Sequence, residues 1–248
     1  MIKKLCSVVL ISTISYFSVS ADEGMWLPHL LQSMNEVDMQ ESGLQLTAQD
    51  LYDVNNSSLK DAIVSFGGFC TGEMISSEGL VLTNHHCGYG QIQEHSSLRN
   101  DYLKDGFWAM TRDEELPNEG LFVSFLVSIE SVTDRVLEEL GDVSQSERNQ
   151  KLRLIFNSIV SESIEGTDYS ARVKSFFGGN EFYLMKYITY NDVRLVGAPP
   201  SSIGKYGGDT DNWMWPRHTG DFALFRVYCA PDGSPAKYSD ENIPYTPK

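Results

Sequence analysis

The hydrophobic and polar positions divide the chain into a helical N-terminal part and a longer part that is dominated by short strands. From Ala62 onward, apolar runs of four to nine residues alternate with glycine-rich turns, which is typical of β-strands. The turn Ser76–Gly79 joins two of these runs in a hairpin pattern. The pattern predicts strands near residues 63–66, 72–75, 80–83, 121–129, 169–177, 182–190, 192–196 and 221–228.

Helical spacing is concentrated in two regions. Residues 22–60 form a helical lead-in, with apolar positions three or four residues apart and a capping sequence Thr47–Asp50 before Leu51. Two further helices form an insertion near residues 131–165, and the second of them opens with the capping box Ser144–Glu147. In the lead-in, the residues with helical spacing are Leu27, Leu30, Leu31 and Met34. One side of each inserted helix is predicted to be apolar, with Val132, Val136, Leu137 and Leu140 in the first and Leu152, Ile155 and Ile159 in the second.

Residues 1–21 have the pattern of a signal peptide. Lys3 and Lys4 precede an apolar run, and Val19–Ala21 places small residues at a cleavage site. A short N-terminal anchor helix is the alternative, but the apolar run is short and a polar segment begins at Asp22. We therefore expect export to the periplasm, with the outer surface or the medium as further destinations.

Composition and charge exclude several classes of protein. The 248 residues carry 19 Lys and Arg against 34 Asp and Glu, a net charge of −15 that becomes −17 without the leader and its two lysines. This balance argues against binding to nucleic acid, which needs basic patches. With 41% hydrophobic residues the chain can bury a core, and no apolar stretch after the leader is long enough to span a membrane.

Export permits disulfide bonds, and three cysteines follow the leader. Cys70 and Cys87 flank two short strands, and a hairpin would bring them together. Cys229 is then left over, either buried as a small apolar residue or paired with a group outside this chain.

Two strings carry residues suited to catalysis. Leu82–Cys87 (LTNHHC) places histidines at the predicted end of a strand, where a rigid and partly exposed imidazole could act as a general base. Thr219–Leu224 (TGDFAL) places Asp221 at the start of an apolar strand, where its carboxylate could orient an imidazole. Metal binding is the alternative reading of His85, His86 and Cys87, although adjacent residues on a strand point to opposite faces and rarely share one ion.

Taken together, the two strings resemble the His and Asp signatures of chymotrypsin-like serine peptidases, Thr-x-x-His-Cys and Asp-x-Ala-Leu. With the block Gly207–His218 (GGDTDNWMWPRH) and the lead-in Asp22–Pro28, the chain resembles the bacterial periplasmic serine dipeptidyl-peptidases of the seven and eleven type. The resemblance implies a mainly β fold with helical additions: two chymotrypsin-like barrels with an inserted helical domain. Residues 61–248 would form the first barrel.

The resemblance also implies roles for individual residues. His86, the histidine beside the cysteine, matches the catalytic base, and Asp221 matches the orienting acid. Asn212, Trp213 and Arg217 match positions that shape the pocket for the substrate's N-terminus, where an amide oxygen, an aromatic face and nearby acids suit an ammonium group. The implied substrates are peptides with a free N-terminus; no cofactor or metal is expected, and a homodimer of the full-length enzyme is compatible with the family.

One catalytic element is missing from the pattern. The family's nucleophile lies in a Gly-x-Ser-Gly loop, and the sequence contains none; Ser76–Ser77 and Ser201–Ser202 are predicted to lie in turns. We therefore interpret the chain as an N-terminal portion that is inactive alone. Two other hypotheses stay open: an exported, non-catalytic binding protein with a protease-like fold, and a periplasmic metal-binding protein that uses His85, His86, Cys87 and His218.

Overall fold

The fold was described from a computed structural model of the chain, which covers residues 26–53, 56–206 and 219–247, with only the backbone of His29 and Gln145. The predicted leader, residues 1–21, lies outside the described residues. Within them, no helix is long and apolar enough to cross a membrane.

All the described strands belong to one antiparallel sheet. The predicted strands are present with small shifts at their ends, and three two-residue strands (β4, β5 and β11) are additional. The strands are β1 Ile63–Phe66, β2 Cys70–Met74, β3 Leu80–Thr83, β4 Phe107–Trp108, β5 Leu116–Pro117, β6 Val123–Ser131, β7 Tyr169–Phe176, β8 Glu181–Tyr190, β9 Asp192–Ala198, β10 Ala223–Cys229 and β11 Ile243–Pro244.

The described helices vary from one turn to more than five. They are α1 Leu31–Met34, α2 Glu36–Glu41, α3 Ala48–Leu51, α4 His85–His95, α5 Tyr102–Asp105, α6 Thr133–Leu140, α7 Gln145–Ile164 and α8 Ser201–Gly204. Short 3-10 turns occupy Pro28–Leu30, Leu59–Ala62, Arg112–Glu114 and Phe177–Gly179.

The topology requires the sheet to curl. Its strand order is β4-β9-β10-β3-β2-β1-β6-β8-β7, with β5 paired to β9 and β11 to β10. Strands β8 and β9 lie near opposite ends of this order, yet a single residue, Asn191, joins them in the chain. The two ends of the sheet must therefore approach each other, which gives a barrel-like arrangement.

The inside of the curled sheet is filled by apolar side chains from its strands. In β10, Ala223, Phe225 and Val227 are fully buried, as period-two spacing predicts. The ring of Phe225 lies 4.8 Å from that of Phe66 on β1, although two other strands separate β10 from β1 in the sheet. Each such side chain contributes about 1.5–3 kcal/mol through burial.

The two inserted helices pack on β7 and β8, outside the barrel, where they form a second core with Phe182 and Leu184. The Ser144 hydroxyl and backbone N–H both donate to the Glu147 carboxylate at the start of α7, so the capping box is present. The prediction for Leu137 was wrong: Val136 and Leu140 are buried, but Leu137 is 44% exposed. The buried face of helix α6 is therefore narrower than the apolar side that its sequence predicts.

The lead-in consists of short helices rather than a continuous one. Thr47 caps α3 by accepting the Asp50 N–H at 3.1 Å, and the Asp50 carboxylate accepts the Thr47 N–H at 2.9 Å. Met34, one of the residues with helical spacing, is 48% exposed. The spacing of its apolar residues therefore identified the helical character of this region but not its packing.

A buried ion pair fixes β9 to the segment that follows β10. Arg194 donates to the Asp192 carboxylate at 2.8 and 3.0 Å, and Asn242 donates to the same carboxylate at 2.9 Å. The Arg194 guanidinium lies over the rings of Tyr228 and Tyr238, 3.8 and 4.8 Å from their centroids. Because the Asp192 side chain is fully buried, this pair holds its surroundings in one geometry.

Candidate active site

The two adjacent histidines lie at the start of a helix and not at the end of a strand. Strand β3 ends at Thr83, Asn84 has extended backbone angles, and α4 begins at His85. The sequence prediction of a strand end was wrong here: Asn84, a residue type favoured at helix N-caps, separates the end of the strand from the start of the helix. In the helix, the two rings point in different directions: His85 is fully buried, whereas the His86 side chain is 54% exposed.

Asp221 binds His86 through both of its carboxylate oxygens. Oδ2 lies 2.6 Å from Nδ1 of His86, and Oδ1 accepts the His86 backbone N–H at 3.0 Å. The Asp221 side chain is only 12% exposed, and it lies where the free N–H groups of α4 favour a negative charge. One carboxylate therefore fixes both the position of the helix start and the orientation of its exposed imidazole.

Asn84 completes the binding of this carboxylate. Its side-chain amide donates to the Asp221 carbonyl at 3.1 Å and to Oδ2 at 3.4 Å. Asn84 was not among the predicted site residues, because nothing in its local sequence indicates a contact with Asp221. Only the fold shows that its amide points away from its own helix and towards a residue that follows it by 137 positions.

This arrangement determines which nitrogen of His86 is available for chemistry. An ionised carboxylate accepts hydrogen bonds and cannot donate them, so Nδ1 carries the proton that lies between His86 and Asp221. Nε2 is then the unprotonated nitrogen of the neutral ring, and among the described residues it has no hydrogen-bond partner. An oriented imidazole with a free Nε2 can accept a proton from a nucleophile.

The disulfide between Cys70 and Cys87 is present, as predicted. It connects the first residue of β2 to the first turn of α4, with Cα atoms 6.1 Å apart. The two sulfurs lie close to His86 and resemble part of a metal site. While they are bonded to each other, however, they offer no thiolate to a metal ion.

Cys229 is buried without a disulfide, and burial raises the pKa of its thiol.

Helix α4 is held close to β10, the strand that follows Asp221. Gly88 makes this approach possible, because a Cβ at this position would lie 2.9 Å from the Phe225 ring.

Ser201 and Ser202, predicted to lie in a turn, belong to the one-turn helix α8. Asn212, Trp213 and Arg217, predicted to bind the substrate's N-terminus, and His218 lie outside the described residues.

Comparison with known proteins places these observations in context. A family model described as Peptidase S46 matches residues 21–248. Dipeptidyl-peptidase 7 of Capnocytophaga gingivalis is 52% identical over 231 residues, which are 93% of this chain and 32% of that protein. The Asp/Glu-specific dipeptidyl-peptidase of Flavobacterium psychrophilum is 51% identical over 226 residues, 91% of this chain and 32% of that protein.

A solved structure is similar as well. The crystal structure of Porphyromonas endodontalis DPP11 in complex with the dipeptide Arg-Glu superposes with a TM-score of 0.85 at 48% identity. The match covers 92% of this chain and 33% of that one, so the chain spans about a third of the length of its relatives. The prediction of a mainly β, chymotrypsin-like fold with helical additions is confirmed, and so is the resemblance to these dipeptidyl-peptidases.

Proposed function

This chain belongs to the Peptidase S46 family, and from that premise we propose that it supplies the general base and the orienting acid of a serine-type dipeptidyl aminopeptidase. The enzyme releases dipeptides from peptides with a free N-terminus. Its nucleophilic serine lies in sequence that this chain does not contain, and the chain alone is inactive. Export through the leader brings the enzyme to the periplasm, where peptides are its substrates.

The observation that carries the proposal is the double contact between Asp221 and His86. The 2.6 Å separation of Oδ2 and Nδ1 orients the imidazole and stabilises the imidazolium that forms when Nε2 takes the serine proton. The second contact, from Oδ1 to the His86 N–H, prevents the carboxylate from rotating away. His86 then returns the proton to the leaving amine, and the acyl-enzyme is hydrolysed by water in the same way.

Recognition of the free N-terminus is assigned to the block that contains Asn212, Trp213 and Arg217. The amide oxygen of Asn212 can accept from an ammonium group, and the face of Trp213 can lie against it. Arg217 repels an ammonium and is better suited to holding neighbouring carboxylates or carbonyls. The net charge of −17 without the leader (−15 with it, less two lysines) attracts cationic N-termini at low ionic strength.

The test is dipeptide release by the protein expressed from its complete gene. Substrates are dipeptidyl coumarylamides with an acidic or an apolar second residue, because some matching relatives are named Asp/Glu-specific whereas others, named dipeptidyl-peptidase 7, carry no specificity in their name. His86→Ala and Asp221→Asn should each lower kcat by about 10⁴-fold, as in other triads. His95→Ala is the matched control: it lies at the other end of α4, where its Nε2 contacts Asn118, and should leave kcat unchanged. An acetylated substrate should not be cleaved.

The outcomes separate the three hypotheses. Near-normal turnover by His86→Ala, with His85 essential instead, would show that the wrong histidine was assigned. Binding of peptides without turnover by the wild type would favour the non-catalytic binding protein. Stoichiometric zinc in the purified protein, lost in His86→Ala, would favour the metal-binding protein.

A further inference from the structure

His85, beside the exposed His86, is a buried histidine that the proposed chemistry does not use. Its side chain is fully buried, and neither ring nitrogen makes a well-aligned hydrogen bond within the described residues. Burial lowers its pKa, and the Asp221 carboxylate and the Pro199 backbone oppose this only in part. Among the described residues, the ring therefore acts on its surroundings mainly through packing.

The ring of His85 forms the surface on which α8 lies. A Cβ on Gly204, the last residue of α8, would lie 2.9 Å from Nδ1 of His85 and closer still to two ring carbons. Gly204 has no space for a methyl group while the ring is present. The imidazole therefore sets the distance between the start of α4 and α8.

Helix α8 in turn binds the residues immediately before Asp221. The Thr219 hydroxyl donates to the carbonyls of Ile203 and Gly204 at 3.0 and 2.9 Å. The Gly220 N–H donates to the Ile203 carbonyl at 3.0 Å. The position of α8 is thus transmitted directly to the backbone that carries the Asp221 carboxylate.

These contacts form a closed cycle, because Asp221 also contacts the start of α4, through His86 and Asn84. In such a closed cycle of packed groups, one group cannot move without displacing the others. We propose that His85 is a positioning residue, whose buried imidazole acts through α8 and Thr219–Gly220 to hold Asp221 at hydrogen-bonding distance from His86. The proposal rests on the proposed function, since it assigns His85 to the same reaction.

The test uses two single variants and their combination in the protein expressed from its complete gene. His85→Ala removes the imidazole ring, and Gly204→Ala forces a methyl group against it. Each variant should lower kcat by about 10²-fold, because a displacement of Asp221 by about 1 Å has a cost of this size. KM should change much less. In the double variant the methyl group occupies space that the ring has left. It should be more active than either single variant, which is positive coupling.

A second measurement reports the geometry without any turnover. The proton between His86 and Asp221 should give a low-field proton NMR resonance, identified by its loss in His86→Ala. It should weaken or shift in both single variants and recover in the double variant. The controls are two variants on α4, Gly90→Ala and His95→Ala, which should leave kcat and this resonance unchanged. At Gly90 an added Cβ meets no atom within 4 Å.

The results decide between clear alternatives. Normal kcat and an unchanged resonance in His85→Ala would overturn the proposal while leaving the proposed function intact. A double variant no more active than the single variants would also overturn it. So would a loss of activity in His85→Ala that equals the loss of correctly folded active sites, counted by active-site titration, since His85 would then contribute only to folding. If the wild type releases no dipeptide, the proposed function fails, and the resonance alone still tests the positioning of Asp221.

Discussion

Reduction of the Cys70–Cys87 disulfide is expected to lower the stability of the chain substantially. The bond closes a loop with a sequence separation of 17 between the start of β2 and the first turn of α4. Opening a loop of this length restores chain entropy to the unfolded state and lowers the free energy of unfolding by about 3 kcal/mol. For a chain of this size, the loss corresponds to a melting temperature lower by about 6–12 °C.

The measurement is thermal unfolding followed by circular dichroism, on the chain expressed from residue 22, with and without dithiothreitol. Quantification of free thiols shows whether the bond has opened before melting. The matched control is the Cys70→Ala/Cys87→Ala variant, which retains Cys229 and should no longer respond to the reductant. A shift of less than about 2 °C, equivalent to at most about 1 kcal/mol, would refute the loop-closure reasoning. So would an equal response of the control variant.

Three further predictions concern stability and are measured by urea unfolding. Because burial lowers the pKa of His85 below 6.5, the unfolded chain binds a proton that the folded chain does not. Stability should therefore fall as the pH drops below about 6.5, by up to about 1.4 kcal/mol per pH unit until the folded-state pKa is reached, and His85→Gln should flatten this slope. Asp192→Asn leaves the Arg194 charge buried without its partner and should cost about 3–5 kcal/mol, whereas Asp192→Asn/Arg194→Met should cost less. Leu140→Ala should cost about 2–5 kcal/mol and Leu137→Ala, on the exposed side of α6, no more than about 0.5 kcal/mol.

Each of these has an outcome that contradicts it. An unchanged pH slope in His85→Gln would show that other groups cause the acid sensitivity. A double variant at the ion pair that is less stable than Asp192→Asn would mean that the guanidinium stabilises the tyrosine rings independently of its charge partner. Equal losses for the two leucine variants would show that α6 is buried on the side that the structure leaves exposed.

Features that depend on neighbouring residues could be predicted from the sequence alone. The short apolar run Ala223–Cys229 predicts a strand in the core of a sheet, as is found. Ser144 and Glu147 predict the start of α7 because the two side chains reach each other within one turn. The pairing of Cys70 with Cys87 was also accessible, since only two short strands separate them.

The candidate site was predicted in part. The local strings indicated His86 and Asp221 as candidates, and the resemblance to a family of dipeptidyl-peptidases implied their roles as base and acid. Nothing in the sequence indicates that Asn84 or Gly204 lies near them, since the first lies 137 positions from the residue it binds and the second contacts His85 only through the fold. The histidines were predicted at a strand end because the apolar run Leu80–Thr83 leads into them, and asparagine is favoured in turns as well as at helix N-caps.

The sequence by itself determined most of the strands and the inserted helices, which follow from short-range periodicity, whereas the roles of His86 and Asp221 were inferred from the resemblance of their motifs to a family. Only the tertiary structure decided that the sheet closes, that Cys229 is buried, and that Leu137 faces outward. It also decided that His85 lies under α8 while its neighbour is exposed. These properties depend on which segments, distant in the sequence, pack together. One pattern of hydrophobic and polar residues is compatible with many such packings, and burial and hydrogen bonding in the folded state select one of them.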